Sequence, residues 1–216
     1  MTDLKDLNVQ KTGTTTLAIV CKDGVVIGAD KRATAGGEVV QRDAKKTHKL
    51  TENVVVAWAG VVSEIQNTIK VVSAEINLRE LKIGRPMLVK EIASLLANMA
   101  YGKIRTPSVM MPIAAFTIAG VDALGNHVYS ISPDGVTNDI KTFTTDGSGG
   151  HFAISVFEDS YNPEISVQEG VELAKRAFNV SLLRDSASGN GFKIYSVTDT
   201  GAKVEADEAI NTGVRR

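Results

Sequence analysis

Near the middle of this chain, apolar residues recur twice at helical spacing, and each helix so implied has only one apolar face. Ile65, Ile69, Val72 and Ile76 follow at intervals of 4, 3 and 4, and Leu88, Ile92, Leu95 and Met99 repeat them. Ser63-x-x-Gln66 reads as a capping box for the first helix. Ile83-Gly84-Arg85-Pro86 separates the two, with Pro86 suited to open the second. A helix with one apolar stripe must lay it on a neighbouring surface, and the flanking sequence supplies sheets. Residues 14–21 and 25–29 are β-rich runs joined through Lys22-Asp23-Gly24, a strong hairpin signal. Ala33-Thr34-Ala35-Gly36-Gly37 reads as a loop, and strand signals follow at 38–42, 46–50 and 54–59.

Beyond the helices the pattern returns to strands, at 112–121, 127–131 and 136–144, with turns at Leu124-Gly125-Asn126 and Pro133-Asp134-Gly135. Asp146-Gly147-Ser148-Gly149-Gly150 is a tight loop before a short helix near 152–157. Ser166-x-x-Glu169 then caps a helix lined by Val167, Val171, Ala174, Phe178 and Leu182. A final hairpin, 192–198 and 202–206, turns at Asp199-Thr200-Gly201. The order is therefore strands, two helices, strands, two helices, strands. Hairpin links make the sheets antiparallel. Two sheets face to face with a helix pair on each outer side bury every apolar face, which is an α+β fold, a four-layer αββα sandwich. A length of 216 residues suits one domain.

Composition removes several function classes. A net charge of −1, with no basic run longer than two residues, argues against nucleic acid as a partner. The single cysteine, Cys21, excludes an internal disulfide framework and fits a reducing compartment. His48, His127 and His151 are too far apart in sequence for a zinc pattern, so neither metal nor cofactor is expected. The first 13 residues lack the apolar core of a secretory signal, and no apolar run reaches 18 residues, so no membrane span is expected. Residues 211–216 read as a polar tail.

Gly13-Thr14-Thr15-Thr16 has two readings. In the first, Gly13 is a joint and the threonines are ordinary strand residues. In the second, Thr14 is a nucleophile. A threonine hydroxyl needs a base beside it, and its own α-amine can serve once threonine is the first residue. An α-amine has a pKa of about 7.7–8.0 and is partly neutral near pH 7. Thr14 is internal, so the Gly13–Thr14 bond must be cut first, and glycine leaves its carbonyl open to the adjacent hydroxyl. This reading makes residues 1–13 a segment removed by self-cleavage and 14–216 the working domain.

Several separated motifs resemble a known family. Gly13-Thr14-Thr15-Thr16, Gly28-Ala29-Asp30-Lys31-Arg32, Lys45-Lys46, Ala59-Gly60, Gly147-Ser148-Gly149-Gly150 and Arg184-Asp185-Ser186-Ala187-Ser188-Gly189-Asn190-Gly191 stand in the order found in proteasome β subunits. The archaeal type, within the N-terminal-nucleophile hydrolases, is the nearest likeness. The resemblance implies the αββα fold and a threonine endopeptidase. It implies Thr14 as nucleophile, Lys46 as the cation beside its hydroxyl and Asp30 as the carboxylate holding that lysine. Gly60 N–H would be the oxyanion donor. Ser148, Asp185 and Ser188 would orient the terminal amine and move protons. Thr34 and Gly60 would pair with an extended peptide through their backbones. Ala33 and Trp58 would form the wall and floor of the pocket for the side chain before the cut bond. Smaller floor residues are more usual there, so Trp58 implies a preference for small side chains or weak activity.

Read apart from the family, Asp30 and Lys46 could be a structural ion pair, the Gly-Ser-Gly-Gly loop a plain turn, and Asp185 a turn cap. The resemblance further implies a seven-membered ring of β subunits, flanking α-subunit rings, an ATPase unfoldase acting through them, unfolded polypeptide substrates and a cytoplasmic location. Two other readings stay open. One is a structural or weakly active ring subunit that keeps its N-terminal segment. The other is the bacterial two-component protease subunit.

Overall fold

A computed structural model describes residues 13–35, 37–107 and 113–210. Its elements run β1 (Thr16–Cys21), β2 (Gly24–Asp30), β3 (Ala33–Ala35), β4 (Glu38–Gln41), β5 (Thr47–Thr51) and β6 (Val54–Gly60). Helices α1 (Val62–Ile83) and α2 (Val89–Arg105) follow, then β7 (Ala114–Asp122), β8 (Gly125–Ile131), β9 (Thr137–Ile140) and β10 (Phe143–Asp146). Helices α3 (Gly150–Ser160) and α4 (Val167–Arg184) precede β11 (Gly191–Thr198) and β12 (Gly201–Ala209). One antiparallel sheet has the order β10-β1-β2-β11-β12 and the other β5-β6-β7-β8-β9, with β3-β4 a separate ribbon.

Strand alternation builds the layers. Leu17 and Ile19 of β1 join Phe178 and Phe192 in a core under α3 and α4, while Ala18 between them faces the other sheet. Val54, Val56, Trp58, Phe116 and Ile118 pack against Ile65, Ile69, Val72, Ile76, Ile92 and Leu96 of the first helix pair. The layer between the sheets is made of small residues such as Ala18, Ala29, Ala57 and Ala119 with Val25, Val55 and Val128. Small side chains let two sheets approach on a broad front. Phe178 stacks on Phe192 at 5.0 Å between ring centres and is fully buried, so its truncation to alanine costs about 3–5 kcal/mol.

The αββα sandwich is as expected, and four local details differ. Helix α1 starts at Val62, with Val61 as its cap and no side-chain bond, so Ser63 does not cap it. Val61 N–H still donates to Ile113 O, as strand pairing, while Val61 O already accepts from Ile65 N–H. The chain turns from β6 into α1 without a capping loop. Helix α2 begins at Val89 rather than Pro86, because the Glu91 carboxylate accepts from Leu88 N–H at 2.8 Å and Asp122 from Val89 N–H at 2.8 Å. The expected strand 136–144 is two strands: β9 pairs with β8, and β10 crosses to pair with β1 in the other sheet. Ala33–Ala35, expected as loop, pairs with β4. Residues 1–12, Gly36, Pro112 and the 211–216 tail lie outside the described residues.

Candidate active site

The two sheets bring three distant residues together at one end of the sandwich. Thr14 precedes β1, Asp30 ends β2, and Lys46 precedes β5 of the opposite sheet. Register between β1 and β2 places Thr15 beside Asp30: Asp30 N–H donates to Thr15 O, and Thr15 N–H to Asp30 Oδ1, both at 3.0 Å. Lys46 is held from its own sheet by Trp58 N–H, which donates to Lys46 O at 3.1 Å. Its ammonium then reaches Asp30 Oδ1 at 2.7 Å, Thr14 Oγ1 at 3.0 Å and Gly13 O at 3.1 Å. An ammonium has three N–H groups, and these are its three acceptors. The Thr14 hydroxyl donates to Gly13 O at 2.6 Å. The hydroxyl and the ammonium thus converge on the carbonyl of the Gly13–Thr14 peptide.

Burial sets the electrostatics. The Asp30 side chain is 0% and that of Lys46 is 7% exposed. Loss of water pushes the Asp30 carboxyl up and the Lys46 ammonium down, and their mutual attraction and hydrogen bond oppose both shifts. A lysine held in this way gives up its proton more readily than one in water, although the Asp30 carboxylate opposes the loss. Asp30 also accepts from Arg32 N–H at 3.1 Å and Gly189 N–H at 3.0 Å through Oδ2, so four donors surround one carboxylate.

A second polar group flanks Thr14 from the opposite side. After β10 the chain turns at Gly147, whose φ of +82° favours glycine and whose absent Cβ makes room for Thr14 O. Gly149 N–H donates to Thr14 O at 3.2 Å, and Thr14 N–H to Ser148 Oγ at 3.3 Å. Asp185, the cap of α4, accepts from Ser148 Oγ and Ser188 Oγ through Oδ2, both at 2.6 Å. Ser188 Oγ lies 2.8 Å from Thr15 Oγ1. A hydrogen-bonded line therefore runs from Thr14 N–H through Ser148 to Asp185.

Facing Thr14 is a cavity of about 180 Å³ whose lining includes Ala33, Lys46, Trp58, Gly60, Val62 and Gln66. Trp58 is 9% exposed: its ring belongs to the core beneath α1 while it also walls the cavity. Gly60 closes β6 at a φ of +137°. Thr34 meets the N-terminal segment through its side chain, with Gly13 N–H donating to Thr34 Oγ1 at 2.9 Å. All the residues singled out from the sequence, from Thr14, Asp30 and Lys46 to Ser148, Asp185, Ser188, Ala33, Thr34, Trp58 and Gly60, meet at this one end of the fold.

Sequence reasoning assigned no role to Thr15, Arg32 or Gly189, which complete the shell of Asp30. Arg32 also donates from Nε to Asn190 Oδ1 at 2.9 Å and from Nη1 to Ser186 O at 2.7 Å, joining the end of β2 to the loop after α4. Both segments were already singled out as motifs; only their mutual contact was hidden. Among the described residues, no helix is long and apolar enough to cross a membrane.

Comparison with known proteins gives a consistent answer. A family model described as proteasome subunit matches residues 10–197. The chain is 38% identical over 204 residues to a protein named proteasome subunit beta from Archaeoglobus profundus, covering 93% of each. It is 39% identical over 191 residues to one named proteasome subunit beta 1 from Thermococcus onnurineus, covering 88% of this chain and 90% of that protein. Against proteasome subunit beta of Methanocaldococcus jannaschii the identity is 36% over 199 residues, covering 92% of this chain and 87% of the other.

Proposed function

The chain belongs to the proteasome subunit family, and on that premise we propose that it is a threonine endopeptidase made as a zymogen, with Thr14 as its nucleophile. The observation that carries the reading is the Lys46 ammonium, which donates at once to Thr14 Oγ1, Gly13 O and Asp30. Self-cleavage begins when Thr14 Oγ attacks the Gly13 carbonyl carbon. Lys46 N–H already points at the oxygen on which charge develops, the geometry an oxyanion requires. The C–N bond breaks, the Thr14 nitrogen takes the hydroxyl proton, and an ester joins Gly13 to Thr14 Oγ. One water hydrolyses that ester. Residues 1–13 leave, and Thr14 becomes a free amine.

The same groups then act on substrate. The α-amine takes the proton from Thr14 Oγ as it attacks a peptide carbonyl. Lys46 stays cationic and favours the developing alkoxide, while Asp30 keeps the ammonium in place. Gly60 N–H stabilises the oxyanion, a contribution of about 3–4 kcal/mol for a donor of this kind. Ser148 and Asp185 hold the amine and relay its proton to the leaving amine. The acyl-enzyme ester is hydrolysed by water, which restores Thr14. Trp58 narrows the pocket beyond Gly60 and favours small side chains before the cut bond.

A free protease of this kind would endanger its surroundings, so masking Thr14 until assembly is a physical safeguard. The working particle in this reading is a seven-membered β ring between α-subunit rings, supplied with unfolded chains by an ATPase. The test is an intact mass of the protein co-assembled with its α subunit. Loss of residues 1–13, with peptide cleavage abolished in Thr14→Ala, is the expected result. Retention of the full chain after assembly would leave no α-amine to act as base, and a structural ring subunit would be the correct reading.

A further inference from the structure

Lys46 leads into β5 of one sheet, while Thr14 leads into β1 and Asp30 ends β2 of the other, so the reacting geometry depends on what ties the sheets together at this end. Residues 42–46 have no regular secondary structure, and Asp43, Ala44, Lys45 and Lys46 line a cavity of about 360 Å³ together with Lys31 and Asp207. Polar tethers cross to this segment from the first sheet. Lys31 supplies two. Its carbonyl accepts from Ala44 N–H at 2.8 Å, and its ammonium lies 3.5 Å from Asp43 Oδ1. Lys31 is itself anchored in the first sheet, where its N–H donates to Gly191 O at 3.0 Å and its ammonium pairs with Asp207 of β12. Only 9% of this lysine is exposed, so its charge needs these partners. The Lys31 hydrogen bond also holds the Asp207 carboxyl below its ordinary range.

We propose that Lys31 is a positioning residue: bound to Asp207 on one side and to the 43–44 turn on the other, it sets where Lys46 meets Thr14. The inference rests on the peptidase reading above and adds to it a residue that touches none of the reacting atoms. Lys193 provides an internal comparison. It also pairs with Asp207, at 3.0 Å from Oδ2 and directly opposite in the β11–β12 register, yet it sits on the first sheet and, among the described residues, makes no hydrogen bond or ion pair to the 42–46 segment.

The experiment measures kcat and KM for a short fluorogenic peptide on particles co-assembled with the α subunit, using Lys31→Met, Lys31→Arg, Asp207→Asn and Lys193→Met. A small displacement of a catalytic group can cost as much as 10²-fold, so Lys31→Met is expected to lower kcat by about 10-fold or more, with KM within about 2-fold of wild type. Lys31→Arg keeps the charge and restores most of the rate. Asp207→Asn falls with Lys31→Met, and the double variant is no worse than the worse single, as for two residues acting through one contact. Lys193→Met stays near wild type. A Lys31→Met particle as fast as wild type overturns the inference, and so does a Lys193→Met particle as slow as Lys31→Met, which would mark a general brace of the sheet edge. Should Lys31→Met fail to assemble, Asp207→Asn decides by the same threshold. Wild-type particles that cut no peptide would sink the peptidase reading and this inference together. Wild-type particles that cut, beside an equally fast Lys31→Met, sink the inference alone.

Discussion

Asp30→Asn is the sharpest perturbation of the site, because its cost can be counted bond by bond. Asp30 Oδ1 accepts from Thr15 N–H and Lys46 Nζ, and Oδ2 from Arg32 N–H and Gly189 N–H. An asparagine offers one oxygen and one NH2. Whichever way the amide turns, two donors face its NH2 group, and the Lys46 ammonium loses its counter-charge in either orientation. Breaking a buried ion pair by removing one partner costs about 3–5 kcal/mol. Each backbone N–H left without an acceptor adds about 1–3 kcal/mol, partly overlapping with that figure. A total near 4–6 kcal/mol is a large share of the roughly 5–15 kcal/mol that stabilises a domain. Lys46 can escape part of the cost by giving up its proton, which burial already favours, but the cation beside Thr14 is then gone. Urea unfolding followed through the fluorescence of the single tryptophan, the buried Trp58, reads the stability. Peptide cleavage by the assembled particle reads the activity, expected to fall by about 10²-fold or more. An Asp30→Asn chain within about 1 kcal/mol of wild type that still cleaves peptide at a comparable rate would refute the account of four donors on one essential carboxylate.

Three further outcomes follow from the same geometry. Gly13→Val is expected to slow self-cleavage by about 10²-fold, because a Cβ at residue 13 meets Ala187, including its carbonyl oxygen at 2.6 Å, and displaces the peptide from Thr14 Oγ; the uncleaved mass after assembly reports it. Trp58→Ala should raise kcat/KM for peptides with a bulky side chain before the cut bond by about 10- to 100-fold, at a stability cost of about 3–5 kcal/mol. A wild-type preference for bulky side chains in the same peptide series would contradict the role given to Trp58. Burial pushes the Cys21 thiol up from its ordinary value to about 12. The folded state thus keeps a proton that the unfolded chain releases, so this residue's contribution to stability falls as pH rises above 9.0. Alkylation at pH 9.5 should accordingly modify urea-unfolded chain and spare the native protein.

Turn chemistry and side-chain periodicity carried most of the fold. Asp23-Gly24 closes the first hairpin, Ser166 and Glu169 cap α4 reciprocally, and Ile65, Ile69, Val72 and Ile76 are the buried face of α1. These features depend on residues within a few positions of one another, so neighbouring identities suffice to define them. Where a distant partner competed with the local signal, the signal lost. Ser63 looks like a cap, but Val61 is still paired to Ile113 when the helix begins. Residues 136–144 look like one strand, but β8 takes the first half and β1 the second. Pairing partners more than 100 residues apart, such as Ile19 and Phe143, leave no trace in local pattern.

The candidate site divides along the same line. Which residues come together was legible, because Thr14, Asp30, Lys46, Ser148 and the 185–191 loop stand in motifs whose residue types would suit a nucleophile, its cation and their hydrogen-bonded support. The sequence alone thus determined which residue types stand in which motifs; the cut before Thr14 belongs to the function proposed above. Only the tertiary structure decided that Lys46 crosses from one sheet to touch both Thr14 and the Gly13 carbonyl of the other. It alone decided that four donors enclose Asp30, and that Lys31, unremarkable beside its neighbours in sequence, bridges Asp207 to the segment that carries Lys46. The physical reason is that hydrogen bonds and ion pairs act over about 3 Å, and two packed sheets set such distances between residues far apart in the chain.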